Sequence, residues 1–172
     1  MTGLLLAAAL LTAAVDTDGM VVINGQRTFL VGLYAFPKTA GDPWKAGREA
    51  GFNLVHVKAT TEELRKAGEY GYWAWVTTGT LNGKNEAAIR KTVETLRGEP
   101  ALLFWETEDE PTFVWKKPRE IRTPAERIIA TRRFVQSIDP KHLFYLNHSP
   151  TNLISTLRRY NDGTDAMATD VY

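Results

Sequence analysis

Short apolar runs alternate along the chain with segments whose apolar residues recur every three or four positions. The runs have the length of buried strands, and the intervening spacing is typical of helices that pack on one face. The predicted strands are residues 31–36, 53–57, 72–77, 101–105, 143–147 and 165–172. Six strands that alternate with helices indicate βαβ units and a parallel sheet.

Capping residues mark where the predicted helices begin. An N-cap side chain accepts a hydrogen bond from the first turn, and proline suits the first helical position. The predicted starts are Asp42-Pro43, Thr60 with Glu63, Asn85, and Thr123-Pro124 with Glu126. A last helix is predicted from about residue 151 to 160.

The N-terminal part predicts two features. Residues 4–15 form an uncharged apolar run, and the small residues Thr12-Ala13-Ala14 resemble a cleavage site, although no positive charge precedes them. We therefore predict a signal-peptide-like leader over residues 1–15 and a secreted or periplasmic protein. After it, Asn24-Gly25 between residues 20–23 and 28–30 predicts a β-hairpin.

Two architectures fit this alternation, an incomplete (β/α)8 barrel or a doubly wound sheet. The loop at residues 37–43 lacks the glycine-rich phosphate motif of dinucleotide-binding sheets. A complete barrel usually needs about 250 residues. We therefore predict an incomplete TIM barrel of about six βα units over residues 18–172, preceded by a short hairpin.

Composition excludes several classes of function. The formal net charge of +1 gives no electrostatic reason to expect nucleic acid or an anionic membrane as a partner. The absence of cysteine excludes disulfides, thiolate metal sites and a cysteine nucleophile. Hydrophobic residues at 44% and charged residues at 24% are ordinary for a globular domain.

The end of the fourth predicted strand is strongly acidic. Residues 101–105 are apolar, and four carboxylates follow within five residues: Glu106, Glu108, Asp109 and Glu110. We expect these side chains to alternate faces along one strand. Neighbouring like charges raise one another's pKa, which suits acid catalysis near neutral pH.

Other strand ends carry aromatic, imidazole and amide groups. In a barrel, the functional groups lie at the carboxyl ends of the strands. Aromatic rings stack on sugar faces, while carboxylates and amides bind hydroxyls. The sequence offers no His-x-x-x-His or Glu-x-x-His spacing, so we predict neither a metal site nor a cofactor. The candidate substrate-binding residues are Tyr34, His56, Asp109, Trp115, Asn147, His148 and Tyr172.

The segment Trp105-Glu106-Thr107-Glu108-Asp109-Glu110-Pro111 resembles the strand-four motif of the clan A glycoside hydrolases. Residues 51–55 resemble that clan's strand-two motif, residues 20–34 its lead-in hairpin and first strand, and residues 170–172 its strand-six ending. The resemblance covers residues 18–172 and implies a carbohydrate substrate.

The resemblance implies roles for three residues. Glu110 is the expected general acid/base of a retaining mechanism. Asp109 stands where the clan usually has an asparagine that contacts the sugar 2-hydroxyl, and His56 lies near the position of a common arginine. The clan's nucleophile, a glutamate on the seventh strand, would lie beyond Tyr172, so we expect the 172-residue chain alone to be inactive.

Two other functions stay open from the sequence. The first is a non-catalytic carbohydrate-binding protein on the same barrel, with Asp109 and His56 marking loss of the catalytic set. The second is a small complete α/β domain with an unrelated role.

Overall fold

The computed structural model describes residues 12–36, 38, 41–117, 120–149 and 153–169. Its first element is a small antiparallel sheet of strands β1 (Ala13–Val15), β2 (Val21–Ile23) and β3 (Gln26–Arg27). Asn24 and Gly25 between β2 and β3 both have positive φ, at 50° and 81°, as a tight hairpin turn requires. The predicted hairpin is confirmed, although its second strand begins at Gln26, two residues before the predicted position.

The predicted leader overlaps this sheet. Its last residues, Ala13–Val15, pair with Val21–Ile23, and residues 1–11 lie outside the described part of the chain. Cleavage after Ala14 would remove most of β1, and the leader itself stays a prediction. Within the described residues, no helix is long and apolar enough to cross a membrane.

A six-stranded parallel sheet forms the body of the molecule. Its strands follow the chain order, and a helix connects each of them to the next. The strands are β4 (Gly32–Leu33), β5 (Leu54–His56), β6 (Trp73–Thr77), β7 (Leu102–Glu106), β8 (Leu143–His148) and β9 (Ala166–Thr169). The helices are α1 (Pro43–Glu49), α2 (Thr61–Glu69), α3 (Glu86–Leu96), α4 (Ala125–Ile138) and α5 (Ile154–Leu157), which continues as a 3-10 helix (Arg158–Gly163).

This sequential strand order decides between the two predicted architectures. A doubly wound sheet reverses its strand order at a switch point, whereas the order here runs from β4 to β9 without reversal. The sheet curls into part of a barrel, so the prediction of an incomplete (β/α)8 barrel is confirmed.

Two helix starts follow the predicted caps. The Asp42 side chain accepts hydrogen bonds from the backbone N–H groups of Trp44 and Lys45. The Thr60 hydroxyl accepts one from the N–H of Glu63 at 3.2 Å. These bonds satisfy N–H groups that the first turn of a helix leaves unpaired.

Two predicted caps are wrong in detail. Helix α4 has its N-cap at Pro124 with no side-chain cap bond, and Glu126 instead pairs with Arg159 at 3.3 Å. Asn85 precedes α3 but makes no cap bond. Its amide donates to the Thr80 carbonyl at 2.9 Å, which tightens the loop before the helix.

The two faces of the sheet bury different side chains. The outer face packs on the helices through alternate strand residues such as Val55, Ala74 and Trp105. The inner face carries Leu54, Trp75 and Phe104, together with Ile23 from the hairpin sheet and Leu103. Because residues two apart on a strand share a face, the strand ends His56, Thr77 and Glu106 continue this inner face.

A buried polar contact joins β7 to the connection between α4 and β8. The Trp105 indole N–H donates to Asp139 Oδ2 at 2.8 Å, and His142 Nδ1 lies 2.6 Å from the same oxygen. Burial alone would raise the pKa of Asp139, but the hydrogen bond and charge of His142 outweigh it and lower the pKa. Asp139 therefore stabilises the fold in its ionised form.

Replacing this carboxylate tests the contact. We expect Asp139→Ala to lower the free energy of unfolding by about 2–4 kcal/mol, because it leaves buried donors on Trp105 and His142 without an acceptor. Exposed Asp162→Ala is the matched control and should change it by less than about 0.5 kcal/mol. Urea unfolding curves measure both values, and equal losses in the two variants would contradict the assignment.

Candidate active site at the carboxyl ends of the strands

Side chains from four consecutive strands meet inside the barrel at its carboxyl end. The Tyr34 hydroxyl donates to Glu106 Oε1 at 3.1 Å, and the Thr77 hydroxyl donates to Glu106 Oε2 at 2.7 Å. His56 Nε2 lies 3.1 Å from the Thr77 oxygen. The rings of Tyr34 and His56 are 5.0 Å apart. These four residues, Tyr34, His56, Thr77 and Glu106, are called the inner cluster below.

Burial controls the charge of the inner cluster. The Glu106 side chain is 0% exposed, and burial raises its pKa to about 7. The Thr77 hydrogen bond opposes this rise, and the charge of Asp109 adds to it. Burial lowers the pKa of His56, against the opposing charge of Asp109. Near neutral pH the cluster therefore holds a neutral imidazole beside a carboxyl that is partly protonated.

Asp109 lies next to the inner cluster and is held from the neighbouring strand. Its Oδ1 accepts a hydrogen bond from Asn147 Nδ2 at 3.1 Å. Asn147 is buried on β8, while Asp109 is half-buried. Burial and the charges of Glu106 and Asp109 raise the pKa of Tyr34, which therefore stays a hydrogen-bond donor. The structure thus brings together four predicted site residues: Tyr34, His56, Asp109 and Asn147.

Glu110 lies beyond the strand, in a turn. It is half-buried with a φ of 45°, and its carbonyl accepts from the Phe113 N–H at 3.0 Å. Positive φ is uncommon for a residue with a side chain and is often found at functional sites. The expectation that Glu106, Glu108 and Glu110 share one strand is wrong, because β7 ends at Glu106 and the alternation ends with it.

Glu108 pairs with residues outside the inner cluster. Arg122 Nε lies 2.8 Å from its Oε1, and the Thr80 hydroxyl donates to its Oε2 at 3.0 Å. It lines a polar groove of about 580 Å³ that Thr77 and Asp109 also border. The four clustered carboxylates therefore have three different environments: the barrel interior, the rim, and an ion pair.

The other candidate residues lie apart from the inner cluster. His148 follows Asn147 on β8 and therefore faces the helices, where it is buried with its ring 5.1 Å from that of Tyr160. Burial lowers its pKa to about 4. Trp115 is 73% exposed in the loop after β7. Tyr172 lies outside the described residues.

Sequence reasoning missed Glu106 and Thr77 as members of the site. The two-residue period of a strand could have found both. Thr77 lies two residues after Trp75, and Glu106 two residues after Phe104, so both share the inner face. Ending the fourth predicted strand at Trp105 hid that phase for Glu106, whereas Thr77 lay within the third predicted strand and was not selected. No group of three or more potential metal ligands occurs among the residues that the structure describes.

Comparison with known proteins reveals similarity at the level of structure. No protein-family model matches the sequence, and no curated protein matches it. Similar solved structures include a Parabacteroides merdae β-glucuronidase with glycerol in its active site, with a TM-score of 0.62 and 14% identity over 94% of this chain and 23% of that one. A family 5 glycoside hydrolase mannosidase from Rhizomucor miehei, in complex with mannosyl-fructose, gives a TM-score of 0.67 and 12% identity over 94% of this chain and 62% of that one.

A third similar structure is a putative β-galactosidase from Bacteroides fragilis, with a TM-score of 0.64 and 12% identity over 95% of this chain and 26% of that one. The chain spans 22% to 28% of the glucuronidases and the galactosidase and about three fifths of the mannosidase. At such low identities, the TM-scores of 0.62 to 0.67 show a shared fold. The chain therefore has the fold of the TIM-barrel glycoside hydrolases, as an incomplete barrel.

Proposed function

We propose that the protein hydrolyses O-glycosidic bonds of a carbohydrate, with retention and with Glu110 as the general acid/base. The supporting observation is that carboxylates gather at the carboxyl end of the fourth barrel strand, in a fold shared with glycoside hydrolases. That edge of a barrel is where catalytic groups lie.

Burial of Glu106 and the ion pair of Glu108 favour Glu110 over these two neighbours for this role. Glu106 is fully buried, so its carboxyl cannot reach a glycosidic oxygen. Glu108 is bound to Arg122. Glu110 is half-buried at the rim. As an acid it would protonate the leaving oxygen, and as a carboxylate it would then remove a proton from the attacking water.

The residues around Glu110 suit sugar hydroxyls. Asp109 can accept a hydrogen bond from the sugar 2-hydroxyl, and the contact from Asn147 fixes the position of its carboxylate. Tyr34 and His56, in the neighbouring inner cluster, are close enough to Asp109 for its charge to affect the pKa of both. Exposed Trp115 offers an aromatic face at the rim for a sugar ring.

Retention needs a second carboxyl group about 5–5.5 Å from the first. The clan resemblance assigns that nucleophile to a glutamate on the seventh barrel strand, beyond Tyr172. The activity is accordingly proposed for the polypeptide that includes this strand, and the tests below use that polypeptide.

The acid/base role is tested by Glu110→Gln. We expect kcat/KM for alkyl glycosides or disaccharides to fall by about 10²–10⁴-fold, since their leaving groups need a proton. For nitrophenyl glycosides, the rate of the first bond cleavage should fall less, because nitrophenolate leaves without a proton. Glu108→Gln is the matched control and should change either rate by only a few-fold. Equal, small effects of the two substitutions would exclude Glu110 as the acid.

The 2-hydroxyl contact is tested by Asp109→Ala. Hydrogen bonds to charged groups contribute about 1.5–3 kcal/mol, so kcat/KM for the glycoside should fall by about 10–100-fold. The 2-deoxy glycoside lacks the hydroxyl, so its kcat/KM should fall far less in Asp109→Ala. Steady-state kinetics on both substrates measure this difference. A loss of the same size on both would show that Asp109 does not bind the 2-hydroxyl.

A further inference from the structure

The inner cluster contains a chain of hydrogen bonds with a definite direction. The Thr77 oxygen lies 2.7 Å from Glu106 Oε2 and 3.1 Å from His56 Nε2. A threonine hydroxyl has one proton, so it can donate to only one of these two neighbours. The neighbour that receives no proton from Thr77 must itself donate to the threonine oxygen.

A proton on Glu106 Oε2, the oxygen that faces Thr77, reverses that direction. An ionised carboxylate only accepts hydrogen bonds, so Thr77 then donates to Glu106 and His56 must carry its proton on Nε2. A carboxyl protonated on Oε2 donates to Thr77, whose own proton then turns toward His56 Nε2. The imidazole must now accept at Nε2 and, staying neutral, carry its proton on Nδ1.

We propose that Glu106 is a positioning residue that sets, through Thr77, which ring nitrogen of His56 carries the proton. Its consequence for sugar binding rests on the proposed function, because His56 is one of the proposed substrate contacts. The imidazole presents one pattern of donor and acceptor to the substrate when Glu106 is ionised, and the opposite pattern when Glu106 is protonated. The hydrogen-bond chain itself requires no substrate.

The proton balance of the switch is simple. Glu106 takes one proton from water, while the imidazole releases its Nε2 proton and gains one on Nδ1. The His56 side chain is 27% exposed, so this exchange with solvent is open to it. The net charge of His56 does not change, and the cluster gains one positive charge in total.

The surroundings of Glu106 allow the switch to operate near neutral pH. The titratable groups that face it are Tyr34 after β4, His56 on β5, Asp109 in the loop after β7, and Tyr145, its register partner on β8. In the described part of the chain, no lysine or arginine forms a salt bridge with it. Burial raises the pKa of Glu106 to about 7 and lowers that of His56, so the carboxyl titrates beside a neutral ring.

Nitrogen NMR of the ¹⁵N-histidine-labelled protein tests the proposal without substrate. Protonated and unprotonated ring nitrogens give well-separated signals, and loss of a signal in His56→Gln assigns His56. We expect the Nε2–H tautomer above about pH 8 and a shift toward the Nδ1–H tautomer as the pH falls toward 6. A single tautomer across this range would overturn the proposal.

Thr77→Val breaks the chain while keeping the side-chain shape. We expect its His56 tautomer ratio to become independent of pH between about 6 and 8. Thr78→Val is the matched control, because among the described residues the Thr78 hydroxyl bonds to the backbone carbonyls of Gly79 and Glu106 and to no side chain. It should keep the wild-type switch. A switch that persists in Thr77→Val would also refute the relay.

These measurements separate the relay from the proposed reaction. A pH-dependent tautomer in a protein that hydrolyses no glycoside would leave the relay standing and remove the proposed function. A fixed tautomer in a protein that hydrolyses glycosides would refute the relay and leave the proposed function standing.

Discussion

The site depends on one buried carboxyl group, Glu106, held between the hydroxyls of Tyr34 and Thr77. Removing a carboxylate from water favours its neutral form, and two hydrogen bonds compensate only part of that cost. A pKa raised from 4.5 to about 7 means that the folded state holds the proton more tightly than the unfolded chain. As the pH rises from about 4.5 to about 7, the free energy of unfolding therefore falls by about 3 kcal/mol.

The burial of Glu106 also separates the environments of the four carboxylates in residues 106–110. The inward strand end buries Glu106, and the turn that follows leaves Asp109 and Glu110 half-buried at the rim. Glu108 forms an ion pair with Arg122. Four neighbouring carboxylates thus avoid sharing one environment, in which their mutual repulsion would be largest. The rim pair is left accessible to a ligand.

The sequence allowed prediction of the barrel because short apolar runs alternate with segments of helical spacing, and of two caps because Asp42 and Thr60 act locally. Thr123 failed as a cap because tertiary contacts hold it: its N–H donates to Pro111, and its carbonyl accepts from Tyr160. The strand ends gave Tyr34, His56, Asp109 and Asn147 as candidates. Their contacts could not be predicted, because register depends on an irregularity between Ala74 and Trp75 that no local pattern indicates.

The most direct test of this account is a pH titration of the Glu106 carboxyl carbon by NMR, with its signal assigned through its loss in Glu106→Gln. We expect a midpoint near 7, because burial outweighs the hydrogen bonds that the carboxyl accepts from Tyr34 and Thr77. A midpoint near the ordinary value of 4.5 would contradict it. Glu106 would then be fully ionised at neutral pH, and a proton shared within the inner cluster near pH 7 would be excluded.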